Sequence, residues 1–148
     1  MRYKSTNAGF TIIEVITSSF VLAVVSTTAI VSFHLTFTKS AVTDAQTVIV
    51  SAMENARSKA MSGYGIASTN YGVRIDMDRV VEFQGSTFSG VGTAVSFPPT
   101  VSSDQSGTDI VFERLTGAAS QTITVRLFGA NNIVHSIEVN QDGTITKL

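Results

Sequence analysis

Cysteine is absent from all 148 residues, which excludes disulfide staples and thiol chemistry and leaves hydrophobic burial to hold the fold. Charge is also scarce, and between Val15 and Phe37 there is no Asp, Glu, Lys or Arg. No basic block occurs anywhere: the chain carries ten basic and eleven acidic side chains. Nucleic-acid binding normally needs clustered Lys and Arg. From Gly63 onward five basic residues (Arg74, Arg79, Arg114, Arg126 and Lys147) stand against eight acidic ones, a balance of −3.

Catalytic and cofactor constellations are missing too. His34 lies in the apolar run, and His135 shares strand parity with Ile137 and Val139, so each reads as a packed or boundary residue. No serine–histidine–acid order is suggested by spacing. The stretch from Gly85 to Gly92 lacks the lysine and following hydroxyl residue of a phosphate loop and reads as a flexible loop. Asp104-Gln105-Ser106-Gly107-Thr108-Asp109, within the 102–109 loop, offers oxygen ligands at short spacing. It lacks the twelve-residue ligand series of a calcium loop and reads as a solvated turn. A non-enzymatic protein with no cofactor and no metal is expected.

What is present begins at the N-terminus. Arg2 and Lys4 lead to Gly9, and Phe10-Thr11-Ile12-Ile13-Glu14-Val15 then opens the uncharged run. At about 1.5 Å of rise per residue, a helix through Phe37 spans the roughly 30 Å of a bilayer core. The basic start favours a cytoplasmic N-terminus, with the remainder in the periplasm or outside the cell. Glu14 is the anomaly, because an unpaired intramembrane charge is costly and reads as functional. Its nearest cations are Arg2 and Lys4 on one side and Lys39, roughly six or seven helical turns away, on the other. Cutting the chain after Gly9 would create an α-amino group on Phe10, and the amine of a neighbouring copy could then neutralise Glu14 within the apolar layer. Two plainer readings exist. One is a signal anchor in which Glu14 snorkels to the interface. The other is a secretory signal peptide cut near Thr27-Thr28-Ala29, although Ile30 and Val31 continue the run past the usual length of about 7–15 apolar residues.

The helical period continues beyond the run. Ala41, Ala45, Val48, Ile49, Ala52, Met53, Ala56 and Ala60 recur at steps of three and four, opposite a polar face of Asp44, Gln46, Thr47, Glu54, Asn55 and Arg57. Gly63-Tyr64-Gly65 supplies the stop. One helix over about 10–62 follows, with a break near Thr38-Lys39-Ser40 as the alternative. After Gly65 the period becomes 2. Tyr71, Val73 and Ile75 alternate with Gly72, Arg74 and Asp76, and Val81 and Phe83 follow a turn at Asp76-Met77-Asp78. Ile110 and Phe112, then Ile123, Val125 and Leu127, then Ile133, His135, Ile137 and Val139 mark further strands. Asn140-Gln141-Asp142-Gly143 signals a tight turn before Thr144-Ile145-Thr146. Short turns imply antiparallel neighbours. The expected class is α+β: a long N-terminal helix packed on an antiparallel head of one twisted sheet or two small ones. Its parts are a leader over 1–9, a membrane or filament-core helix over 10–38, an amphipathic helix over 39–62 and a β head over 63–148.

Gly9 followed by Phe10-Thr-Ile-Ile-Glu14 resembles the prepilin processing signature of type IV pilins and type II secretion pseudopilins. Ala52-Met53-Glu54-Asn55-Ala56-Arg57-Ser58-Lys59-Ala60-Met61 resembles the Ala-Arg-x-x-Ala helix segment of GspH/FimT-type minor pseudopilins. The later strands, through Phe112 to Gly117, Thr122 to Leu127 and Ile137 to Gly143, are similar to the same group. The resemblance implies a pilin-like fold, cleavage between Gly9 and Phe10 by a prepilin peptidase, N-methylation of Phe10, and use of Glu14 to register an incoming subunit. It implies a single-pass protein of the bacterial inner membrane whose partners are other pilin or pseudopilin subunits, the peptidase and an inner-membrane assembly platform. The secretion pseudopilus and the pilus share this start. Display of a DNA-binding module, as in FimT-like competence proteins, is the alternative. Two departures from major pilins, Val31 where a helix-loosening proline is usual and the lack of cysteine for a C-terminal disulfide loop, point to a minor, H-type subunit. Glu14 disfavours the tip subunits that lack the membrane glutamate.

Overall fold

The absence of proline and glycine between Phe10 and Ser62 permits uninterrupted helix, and one forms. In a computed structural model, which describes residues 10–63 and 69–148, helix α1 runs Ile12–Ser62 without a break at Lys39. Gly63, at φ +63°, ends it in the left-handed conformation expected of a glycine stop. Contacts divide the chain into two units, one ending at Thr36 and one spanning Phe37–Leu148.

Within the first unit, Ile12–Ile30 is long and apolar enough to cross a membrane, and none of that window is buried. The hydroxyls of Thr17, Ser26, Thr27 and Thr28 bond inside the helix. Thr17 Oγ1 donates to the Ile13 carbonyl at 2.8 Å, Ser26 Oγ to Leu22 at 2.7 Å and Thr28 Oγ1 to Val25 at 2.9 Å. Back-bonding of this kind lets serine and threonine sit in an apolar span without orphan donors.

The second unit is the helix from Phe37 to Ser62 with eight strands. They are β1 (Tyr71–Ile75), β2 (Arg79–Gln84), β3 (Thr93–Ser96), β4 (Ser102–Ser103), β5 (Thr108–Phe112), β6 (Ile123–Phe128), β7 (Val134–Val139) and β8 (Ile145–Lys147), with a short 3-10 turn η1 (Ala130–Asn132) between β6 and β7. Two antiparallel sheets result, ordered β3-β2-β1-β5 and β4-β6-β7-β8. The fold is thus α+β, an N-terminal apolar helix whose continuation packs on antiparallel sheets. β3, β4 and η1 have no counterpart in the sequence expectation.

The core joins both sheets to α1. Ala45, Ile49, Ala52, Met53, Ala56 and Ala60 are buried as their spacing predicts, and Val42 and Val50 join them. From the sheets come Val73, Ile75, Val80, Ile110, Phe112, Val125, Leu127, Ile137 and Val139. Gln46 departs from the expected polar face. It is only 6% exposed, because it pins α1 to β7 by donating Nε2 to the Ser136 carbonyl at 3.1 Å while its Oε1 lies 3.1 Å from His135 Nδ1. Arg57, also on the expected polar face, is half-buried. Its Nη2 donates to the Asp142 carbonyl at 3.3 Å, and its stem lies where a Cβ on Gly117 or Gly143 would intrude.

The Gly85–Gly92 stretch is folded back on the first sheet and is not an open loop. Phe88 meets Phe83 edge-on at 5.6 Å, lies beneath the Arg74 guanidinium at 5.0 Å, and donates its backbone N–H to Asp109 Oδ2 at 3.2 Å. The lid explains why Val81, Phe83 and Val111 are buried although Val80 and Ile110 face the helix.

Candidate assembly site at the helix start

The first turn of α1 is built by Thr11. Its carbonyl accepts Val15 N–H at 3.2 Å, and its Oγ1 accepts Glu14 N–H at 3.3 Å, which makes Thr11 the N-cap and Glu14 the third helical residue. Thr11-x-x-Glu14 is the sequence pattern of a capping box, with Phe10 and Val15 at the positions of a hydrophobic staple. That signal is present in the sequence and was not part of the expectation above. Phe10 and Thr11 precede the helix and are exposed. The Phe10 backbone is therefore free of helical hydrogen bonding, whereas Gly9 lies outside the described residues.

Glu14 is exposed on the first turn, and among the described residues no ion pair includes it. An acidic residue here also favours the positive end of the helix dipole. Lys39, the expected distant cation, is exposed on the same helix. The side chain of His34 is outside the described set.

Lys59, Arg74 and Arg79 of the second unit form ion pairs. Lys59 Nζ meets Glu82 Oε2 at 2.7 Å. Arg74 meets Asp76 at 3.4 Å and Asp109 at 3.3 Å, and Arg79 meets Asp76 at 3.2 Å. Asp104 and Asp109 are drawn to separate partners and do not form one ligand set. Asp104 Oδ1 accepts Arg126 N–H at 2.9 Å, while Asp109 serves Arg74 and Phe88. Among the described residues no group of three or more His, Asp or Glu is placed to hold a metal ion. His135 is half-buried against Gln46, the boundary position its parity suggests. At the β7–β8 turn, the Thr144 N–H and hydroxyl, at 2.9 and 2.8 Å, hold the Asp142 carboxyl below its ordinary value. No known family model, curated protein or solved structure matches this chain.

Proposed function

We propose that the protein is a structural subunit of a pilin-like filament, a minor pseudopilin or pilin processed between Gly9 and Phe10. The observation that carries the reading is Glu14: a carboxylate with no ion-pair partner among the described residues, on the first turn of an apolar span. A side chain of this kind is neutralised by an amine brought to the same depth, and Phe10 would supply one once the leader is removed. The non-helical backbone at Phe10 and Thr11 would leave a membrane peptidase a segment outside the helix to engage, and the capped turn that follows would survive the cut.

In this reading the subunit is stored with its span in the bacterial inner membrane and its head outside the cytoplasm. Assembly exchanges lipid for neighbouring helices around the stripe from Ile12 to Val31. Mass spectrometry of the chain coexpressed with a prepilin peptidase is expected to show loss of residues 1–9 and a methylated Phe10 amine. An intact leader would overturn the processing step. Glu14→Ala is expected to leave the protein in the membrane with a folded head and to reduce its incorporation into filaments; unchanged incorporation would remove Glu14 from the mechanism.

A further inference from the structure

The two edges of the first sheet are finished differently. Beyond β5 the chain returns along the free side of the strand, where Ser120 N–H donates to the Val111 carbonyl and Glu113 N–H to the Ala118 carbonyl, each at 2.8 Å. That edge is closed. The opposite edge is β3, whose neighbour in the sheet order is β2 and whose residues Thr93, Ala94, Val95 and Ser96 are all exposed.

The direction of each β3 peptide follows from the bonds around it. Phe97 donates its N–H to the Asp78 carbonyl at 2.8 Å, and on the other side of β2 the Arg79 carbonyl accepts Asp76 N–H at 3.0 Å. Antiparallel bonding alternates along a strand, so Val80 and Glu82 bond toward β3, and their partners Val95 and Thr93 bond back. The N–H and C=O groups of Ala94 and Ser96 therefore point away from the sheet, and among the described residues no hydrogen bond reaches them. Natural edges of this kind are guarded by charge, by proline within the strand or by a bulge. β3 has none of these: its register with β2 is regular, and no charged residue occurs between Glu82 and Asp104.

The strand is also complementary to itself. If two copies meet antiparallel about a two-fold axis at Val95, Ala94 of each lies opposite Ser96 of the other, and each such pair exchanges two hydrogen bonds through the outward peptides. The next outward pair would set Gly92 against Pro98, which has no N–H, so the ladder ends where the strand does. Val95 meets its own counterpart in the closer, non-hydrogen-bonded kind of pair, where β-branched side chains pack and a charge would be opposed by itself. The uncharged stretch presents no such opposition.

We infer that β3 is a self-association edge, at which a second copy of this chain pairs antiparallel through Ala94 and Ser96 about Val95. The inference involves the second unit alone and does not depend on the filament reading.

The absence of cysteine makes disulfide trapping specific to an introduced site. Full-length Val95→Cys and Val91→Cys proteins are oxidised in detergent, and covalent dimer is followed with time. Val91 is 78% exposed and in the paired register lies opposite Pro99 of the second copy. At 3.3 Å per residue the two copies of position 91 are then roughly 26 Å apart, whereas the two Val95 side chains are in contact. Val95→Cys is expected to dimerise at least about tenfold faster than Val91→Cys, because pairing makes its reaction effectively intramolecular. Adding Ala94→Pro should abolish that excess with an unchanged circular dichroism spectrum, since the N–H it removes points outward and takes no part in the β2 pairing. Ser96→Pro makes the same test if Ala94→Pro misfolds. Equal rates for the two cysteine variants, as association through the apolar span would give, would overturn the inference. So would trapping at Val95→Cys that persists in a folded proline variant.

Discussion

Gln46 is the buried polar side chain on α1, and its replacement by methionine tests whether a polar pin sets the register of helix on sheet. Methionine fills a similar volume, so the change removes hydrogen bonds without opening a large cavity. Two contacts are lost, Nε2 to the Ser136 carbonyl and Oε1 to His135 Nδ1, both at 3.1 Å. The groups left behind differ in what they lose. The Ser136 carbonyl keeps the Leu148 N–H at 2.9 Å, and half-buried His135 retains access to water. The desolvation penalty of an orphaned group is therefore small, and the loss is close to two net hydrogen bonds of about 1 kcal/mol each.

A destabilisation of about 2 kcal/mol lowers the melting temperature of a domain near 100 residues by roughly 8–12 °C. The assay is thermal unfolding of the full chain in detergent, followed by the β-sheet signal in circular dichroism, for wild type, Gln46→Met, His135→Ala and the double variant. A coupling energy of about 0.5–1.5 kcal/mol is expected between the two positions. Gln46→Met at wild-type stability, or a cycle with no coupling, would refute the reasoning and make burial of Gln46 incidental.

Met53 is fully buried at the centre of the core, and Met53→Ala should cost about 2–5 kcal/mol in the same unfolding measurement, with a value under 1 kcal/mol contradicting the packing. Gly143 sits at φ +81° with its missing Cβ directed at the Gly117 carbonyl and the Arg57 guanidinium. Gly143→Ala is expected to cost roughly 2–5 kcal/mol from backbone strain and overpacking, and to increase hydrogen exchange at the 140–144 turn; a neutral result would contradict the close approach of Gly143 to Gly117 and Arg57. The Asp142 carboxyl should titrate below an ordinary aspartate in NMR, since Thr144 hydrogen bonds favour its ionised form. A lowered folded pKa contributes stability that is present above the unfolded value and fades as the pH falls through the folded one. Asp142→Asn should remove that acid-side change at the turn, and an unaltered profile would assign it elsewhere.

Local signals were legible and long-range ones were not. The three- and four-residue recurrence from Ala45 to Ala60 and the glycine stop at Gly63 follow from helix geometry, and both stand in the structure. Alternation along the sequence located β1, β2, β5, β6 and β7, and the Asn140–Gly143 turn signal located β8. β3 has no such pattern: all its residues are exposed, and it exists as a strand only through pairing with β2. β4 is two residues held against β6. The inward turn of Gln46 depends on a carbonyl and a histidine some ninety residues away, contacts that no local period reports. The lid over the first sheet depends likewise on Arg74 and Asp109 meeting Phe88. At the helix start the failure was of another kind. The Thr11-x-x-Glu14 cap is a local signal carried by four consecutive residues.

That cap changes how Glu14 should be weighed. A carboxylate on the third helical residue lies near the edge of a window that, at nineteen residues, is about 28 Å long, close to one bilayer core. There the helix dipole and snorkelling lower its cost without supplying a counter-charge. The rest of the span does make a demand. Ile12, Ile13, Ile16, Phe20, Val21, Leu22 and Val25 are all exposed, and at about 25 cal/mol per Å² their apolar surface strongly disfavours contact with water. Lipid satisfies that surface, and so do the corresponding surfaces of like helices. In the proposed filament Glu14 would make the two environments unequal, because a bundle of processed helices would present an α-amine at its depth with every added chain. On the proposed reading the carboxylate would cost little in storage at the membrane edge and gain a partner on assembly, an asymmetry that would favour departure from the bilayer in one direction.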